Sequence, residues 1–178
     1  MQEQMTPGPP GRYAVPMMAE SAPLIRQKSA EEQLLAVVRA SAAPDSFGAA
    51  LGTALEAVWG YLNRLPDVTV GPPIARYLAA EAPADADELV FEAGFPIAAA
   101  VPETDVVRVV RLPAGRVATI LQYGGYENLP AAHQALRHWL GEQRLSPGGP
   151  PYEIYWVDQT QVEHPSELRT EVVYPLPA

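Results

Sequence analysis

The sequence predicts an α+β domain in which a β-α-β-β pattern runs twice, its two copies sharing one antiparallel sheet. Three observations carry this. Two apolar stripes of helical period lie within Phe47–Leu62 and Leu129–Leu140. Each is followed by two short runs rich in β-branched or aromatic residues around a polar turn. Stretches that follow the first helix also reappear, partly residue for residue, after the second.

The elements read in chain order as follows. Residues 1–30 are rich in Pro, Met, Gly and Gln without periodicity and read as a disordered or loosely docked tail, which leaves 31–178 as the domain. Gln33 to Ser41 (QLLAVVRAS) reads as a strand, and Ala-Pro-Asp-Ser then supplies a turn with a helix N-cap at Asp45 or Ser46. The helix that follows carries Phe47, Leu51, Leu55, Val58, Trp59 and Leu62 on one face and ends before Pro66. Pro72–Ala79 and Glu88–Ala98 form a hairpin about the turn at Glu81–Asp87, closing a first repeat near residue 99.

The second repeat spans about 105–178. Asp105–Arg111 and Gly115–Tyr123 read either as a strand pair or as one strand preceded by an edge segment. Asn128 caps a second helix with Pro130 in its first turn; Leu129, Ala132, His133, Leu136 and Leu140 define its buried stripe. Tyr152–Asp158 and Leu168–Leu176 form the closing hairpin.

Alignment of the two copies sets Gly71-Pro-Pro-Ile-Ala-Arg-Tyr77 against Gly149-Pro-Pro-Tyr-Glu-Ile-Tyr155, and Leu89–Ile97 against Leu168–Leu176 with Phe95 facing Tyr174. Stacked repeats cover one another's apolar faces, which predicts a continuous sheet with a pseudo-twofold axis between the halves. Matching positions are explained by packing and turns, so a mismatch in chemical type marks added function. The clearest mismatch is Ala75 against Glu153. Strand alternation puts Glu153, Tyr155 and Val157 on one face, and a carboxylate among rings is costly unless a cation pairs with it or it stays protonated. The same residue could instead face water or pair with an arginine such as Arg76 or Arg116.

Composition excludes several classes. The chain has no cysteine, so disulfides, thiolate nucleophiles and Cys-based zinc sites are ruled out, and a cytoplasmic home is expected. A net charge of -9 with scattered arginines offers no phosphate-binding surface, and the first thirty residues hold neither a helix-turn-helix pattern nor a signal-peptide core. Direct nucleic-acid binding and membrane insertion are therefore not expected. No nucleophile elbow, His-Glu-x-x-His, phosphate loop or dinucleotide fingerprint occurs, so no cofactor and no metal is called for. His133 and His138 fall on nearly opposite sides of their helix and cannot chelate one ion; they read as packed or solvated, as does His164 in its loop with Glu163 and Glu167.

The segments Gln122-Tyr-Gly-Gly-Tyr-Glu127, Gly149-Pro-Pro-Tyr-Glu-Ile-Tyr155 and Thr170-Glu-Val-Val-Tyr-Pro175 resemble the GyrI-like small-molecule-binding family, over about Glu32 to Leu176. The family includes the effector-binding domains of multidrug-responsive transcription regulators as well as stand-alone proteins. The resemblance implies a curved sheet with two main helices flanking a central ligand cleft, where bulky aromatic, lipophilic cations meet a buried acid among rings. Carried onto this sequence, the acid is Glu153, with Tyr155, Tyr126 and Tyr77 around it. Trp59 and Phe95 are further ring candidates, although core packing suits Trp59 and Trp139 as well. The resemblance leaves two other activities open. One is a hydrolase opening strained cyclopropane rings of DNA-alkylating natural products, with Glu153, Tyr155 and Tyr126 as its catalytic groups; the other is a protein that inhibits or protects DNA gyrase.

Overall fold

The structure, a computed structural model, describes residues 24–78 and 88–178. Ten regular elements follow one another: β1 (Arg26–Ala30), β2 (Gln33–Ala42), α1 (Phe47–Leu62), β3 (Ile74–Tyr77), β4 (Leu89–Ile97), β5 (Arg108–Leu112), β6 (Gly115–Tyr123), α2 (Leu129–Glu142), β7 (Tyr152–Val157) and β8 (Arg169–Pro175). All eight strands join one sheet of order β1-β6-β8-β7-β3-β4-β2-β5. The middle of that order, β6-β8-β7 against β3-β4-β2, is symmetric, and its axis falls between β7 and β3. There Ala75 is the direct antiparallel partner of Glu153. The two positions that differ most between the repeats thus meet at the seam.

Register sorts the side chains into two faces. Ala36, Phe91, Ala93, Phe95, Ala75, Glu153, Val172 and Ile120 follow one another across the strands on the face that the helices cover. The helix α1 lies over β2 and β4, packing Ala54, Val58 and Leu62 on Ala36, Phe91, Ala93 and Phe95. The helix α2 lies over β6 and β8, packing Leu129, Ala132, Leu136 and Leu140 on Ala118, Ile120, Val172 and Tyr174. Burying each such Leu or Ile contributes about 1.5–3 kcal/mol, so the two stripes anchor the helices firmly. The seam strands β3 and β7 lie between the sheet regions that the two helices cover.

The other face is the inside of a curl. Leu112 at one end of the strand order and Val117 near the other pack with Leu35, Ile74, Tyr152 and Val173, which requires the sheet to bend until its ends approach. Gly94 makes room for this bend, because a Cβ there would stand 1.8 Å from the Ala36 carbonyl oxygen. Charged side chains line the inner face in pairs: Lys28 with Glu171 at 2.6 Å, and Arg76 with Glu92 at 3.3 Å. The second contact, from Arg76 Nη1, is out of hydrogen-bond geometry, and Arg76 Nε and Glu92 Oε2 have no hydrogen-bond partner among the described residues.

Three expectations need correction. Arg26–Ala30 was expected in the tail, yet β1 pairs with β6 along its whole length. Its residues are polar because it is an edge strand with one solvated side. Asp105–Arg111 and Gly115–Tyr123 do not form a strand pair: β5 joins β2 at one edge of the sheet, in line with the edge-segment alternative, while β6 joins β1 and β8. Neither Ser46 nor Asn128 makes a side-chain cap bond. Each ends a 3₁₀ turn in helical conformation, and a capping side chain needs an extended backbone to reach back. The hairpin turn placed at Glu81–Asp87 lies outside the described residues, but its strands β3 and β4 pair as expected. Among the described residues no helix is long and apolar enough to cross a membrane.

Candidate functional site

The site is built outward from Glu153. Alternation along β7 turns Glu153 and Tyr155 to the helix-covered face, where Glu153 is 2 % exposed and Tyr155 is 5 % exposed. The Tyr155 hydroxyl donates to Glu153 Oε2 at 2.5 Å. The other carboxylate oxygen, Oε1, lies 2.7 Å from Nε2 of His133, which the first turns of α2 hold over the seam. His133 Nδ1 lies 3.0 Å from the Tyr174 hydroxyl on β8, and that hydroxyl accepts from Arg137 Nη1 at 3.2 Å, one turn further along α2. A chain of polar contacts therefore runs from the exposed Arg137 through Tyr174 and His133 to the buried acid.

Rings enclose the chain. Tyr77 on β3 meets His133 edge to face at 5.5 Å, Tyr174 meets it at 5.6 Å, and Tyr126 meets Tyr155 at 5.8 Å. Phe47, the first residue of α1, extends the wall from Tyr77 (5.6 Å) to Phe91 (5.0 Å). Tyr126 reaches its place through the 3₁₀ turn Tyr126–Asn128, entered from Gly124, whose φ of 92° is a conformation that suits glycine.

Burial, and after it the charge of Glu153, pushes the hydroxyls of Tyr77 and Tyr155 well above the usual phenol range. Burial likewise raises Tyr126 and Tyr174. These tyrosines stay protonated at neutral pH and can act as donors around the acid. A buried carboxylate is tolerable here because each oxygen has a partner.

Of the residues expected from sequence, Glu153, Tyr155, Tyr126 and Tyr77 come together. Trp59 of α1, 45 % exposed, meets the buried ring of Phe95 at 5.6 Å, a separate pair two strands from the acid. Neither arginine proposed as a partner for Glu153 reaches it. Arg76 is on the inner face with Glu92, and Arg116 donates to Gln27. The partner is His133, which the sequence reading counted as packed or solvated. Counted from the first residue of each helix, α1 carries Leu51 where α2 carries His133; the comparison that singled out Glu153 would have found it. Among the described residues no group of three or more His, Asp or Glu is arranged to hold a metal ion.

Among the described residues the acid is screened from solvent: Glu153 is 2 % exposed, with Tyr155 and His133 on its oxygens and Tyr77 against the His133 ring. Two surface cavities, of about 590 and 440 Å³, lie elsewhere: one beside Arg39, Glu92, Asp105 and Arg108, the other beside Gln33, Thr69 and Pro96.

Residues 25–177 match the model of the GyrI-like small molecule binding domain. The chain belongs to this family. The fold of this GyrI-like domain is shared with EcmrR: the chain superposes on the EcmrR C-terminal domain with a TM-score of 0.73 at 15 % identity, covering 88 % of this chain and 98 % of that one. In the EcmrR–DNA complex the TM-score is 0.77 at 15 % identity, and the match covers 88 % of this chain and 58 % of the EcmrR chain. SAV2435 bound to tetraphenylphosphonium aligns with a TM-score of 0.59 at 9 % identity, covering 87 % and 94 % of the two chains. A hydrolase from Listeria innocua aligns with a TM-score of 0.59 at 13 % identity, covering 89 % and 94 %. At these identities the likeness carries the fold. Among curated proteins none matches the chain in sequence.

Proposed function

We propose that this GyrI-like domain binds bulky, lipophilic aromatic molecules, cations among them, at the Glu153 cluster. The observation that carries the reading is a carboxylate 2 % exposed at the seam of the two halves, with Tyr155, Tyr77, Tyr126 and His133 around it. A buried charge is felt most strongly where water is absent, and ring faces attract cations by about 0.5–2 kcal/mol each. Two or three rings and one carboxylate then support micromolar affinity with loose demands on shape. The fold shared with a protein that was captured with tetraphenylphosphonium supports the same ligand class. Because Tyr77 and Tyr126 cover the acid, entry requires these half-buried rings to turn aside.

Titration with tetraphenylphosphonium or rhodamine 6G, beside Glu153→Gln, tests the reading. Saturable binding that weakens at least tenfold in the variant, about 1.4 kcal/mol, is expected. Absence of binding to the unaltered protein would overturn it; equal binding by both would remove Glu153 from it.

A second reading has one observation in its favour. Glu153 oriented by His133 and Tyr155 is also an arrangement that can position and deprotonate a water, and one protein of this fold is a hydrolase. Loss of a strained-ring substrate over time, at sub-stoichiometric protein, separates catalysis from binding.

A further inference from the structure

His133 is the one imidazole in contact with the acid, and its surroundings accept it in either charge state. As a neutral ring it donates from Nε2 to Glu153 while Nδ1 accepts from the Tyr174 hydroxyl. As an imidazolium it donates from both nitrogens, to Glu153 and to the Tyr174 oxygen, and no heavy atom has to move. The groups facing it are Glu153 and Tyr155 from β7, Tyr174 from β8, Tyr77 from β3 and Arg137 from its own helix. The four tyrosines of the site, Tyr126 among them, are held in their neutral form. That leaves the imidazole and the carboxylate it touches as the pair that can exchange a proton within the cluster.

The consequence falls on the ligand. A neutral His133 leaves the carboxylate as a net negative charge at the centre of the rings. A protonated His133 cancels it at 2.7 Å, and the same cage then encloses no net charge. Resting on the reading of the Glu153 cluster as a binding site, we infer that His133 sets the charge of ligand that the site accepts: cations when neutral, uncharged aromatic molecules when protonated. Cation entry and His133 protonation compete for one carboxylate, so each cation bound to the protonated form expels a proton.

Tetraphenylphosphonium, whose charge does not change with pH, is the probe. Its Kd is expected to tighten as pH rises, by up to about tenfold per pH unit while the cation displaces the proton, and then to level. Calorimetry in two buffers of different ionisation enthalpy is expected to read proton release on the acid side. His133→Gln, which keeps a donor toward Glu153, is expected to bind with no pH dependence, and triphenylphosphine oxide, uncharged, is expected not to gain from rising pH. The wild-type proton count stands even if the variant does not fold. Binding of tetraphenylphosphonium with a constant Kd and no proton exchange would overturn the inference and leave the binding site intact. Failure to bind it at any pH would remove the binding site and the inference together.

Discussion

Glu153 is stable in the interior because its donors are themselves fixed. Tyr155 is packed on the same strand, and α2 holds both His133 and Arg137 toward Tyr174. Removing one partner leaves a desolvated oxygen without a donor. His133→Leu is therefore expected to lower unfolding free energy by about 1–3 kcal/mol in denaturant melts. Adding Glu153→Gln is expected to cost less than the sum of the two single changes, because the pair acts as a unit; strict additivity would mean that the contact carries no coupling. Trp59→Ala is expected to leave tetraphenylphosphonium affinity unchanged, since Trp59 packs on Phe95 and not on the acid. These residues also show what could be read from the chain. Alternation along β7 and comparison of the repeats were enough for Glu153, Tyr155 and Tyr77, because strand position fixes side-chain direction. Trp59 is a candidate from its place on a helical stripe, and Phe95 as the repeat-mate of Tyr174. Tyr174 reaches the acid only through His133, and α1 offers Phe95 a tryptophan in place of a histidine. His133 is hidden in the sequence because its place on a buried stripe fits a packed histidine as well as it fits a partner for the acid.

The helices and central strands were legible because their burial is one-sided and periodic: α2 buries four of the five residues assigned to its stripe, with His133 as the fifth. The edge strand β1 was not, because RQKSA has four exposed residues and needs no alternation to pair with β6. The choice between pairing β5 with β6 and setting it at an edge stays open in the sequence, since it depends on which strand of the whole set accepts β5. Gly94 is where that curl meets a single residue. It sits opposite Val37, and a methyl group would be driven into the Ala36 carbonyl oxygen, an atom of backbone that cannot turn away. Gly94→Ala is expected to destabilise by about 3 kcal/mol or more, lowering Tm by roughly 6–12 °C for a domain of this size. A calorimetric Tm within a degree or two of the unaltered protein would show that β2 and β4 can part locally at little cost.

Each half of the domain has its own helix and its own apolar cluster, and the halves meet along a short seam in the sheet and in the shared cluster on its inner face. Three residue pairs join β3 to β7, against nine that join β2 to β4. The site occupies this seam, so a ligand that turns Tyr77 and Tyr126 aside works where the sheet has least to lose. Tyrosines guard the seam on both sides: Tyr77, Tyr126, Tyr155 and Tyr174 beneath the helices, and Tyr152 on the inner face, where burial first and Glu171 second push its hydroxyl up to about 12. Their common direction gives a signed expectation. Unfolded tyrosines lose their protons near pH 10, whereas these five hold theirs in the folded chain, so above about pH 10 the folded state binds more protons than the unfolded state. Stability from this source is complete below about pH 10 and is lost as pH rises toward the folded values. Denaturant melts at increasing pH are expected to show a level stability up to about pH 9 and a steepening fall beyond about pH 10. Tyrosinate absorbance of the folded protein is expected to lag behind that of the same chain in denaturant, the difference appearing only as the domain unfolds. Coincident titration curves for the folded and unfolded chain would mean that water reaches the seam freely, and the closed cage around Glu153 would have to be abandoned with it.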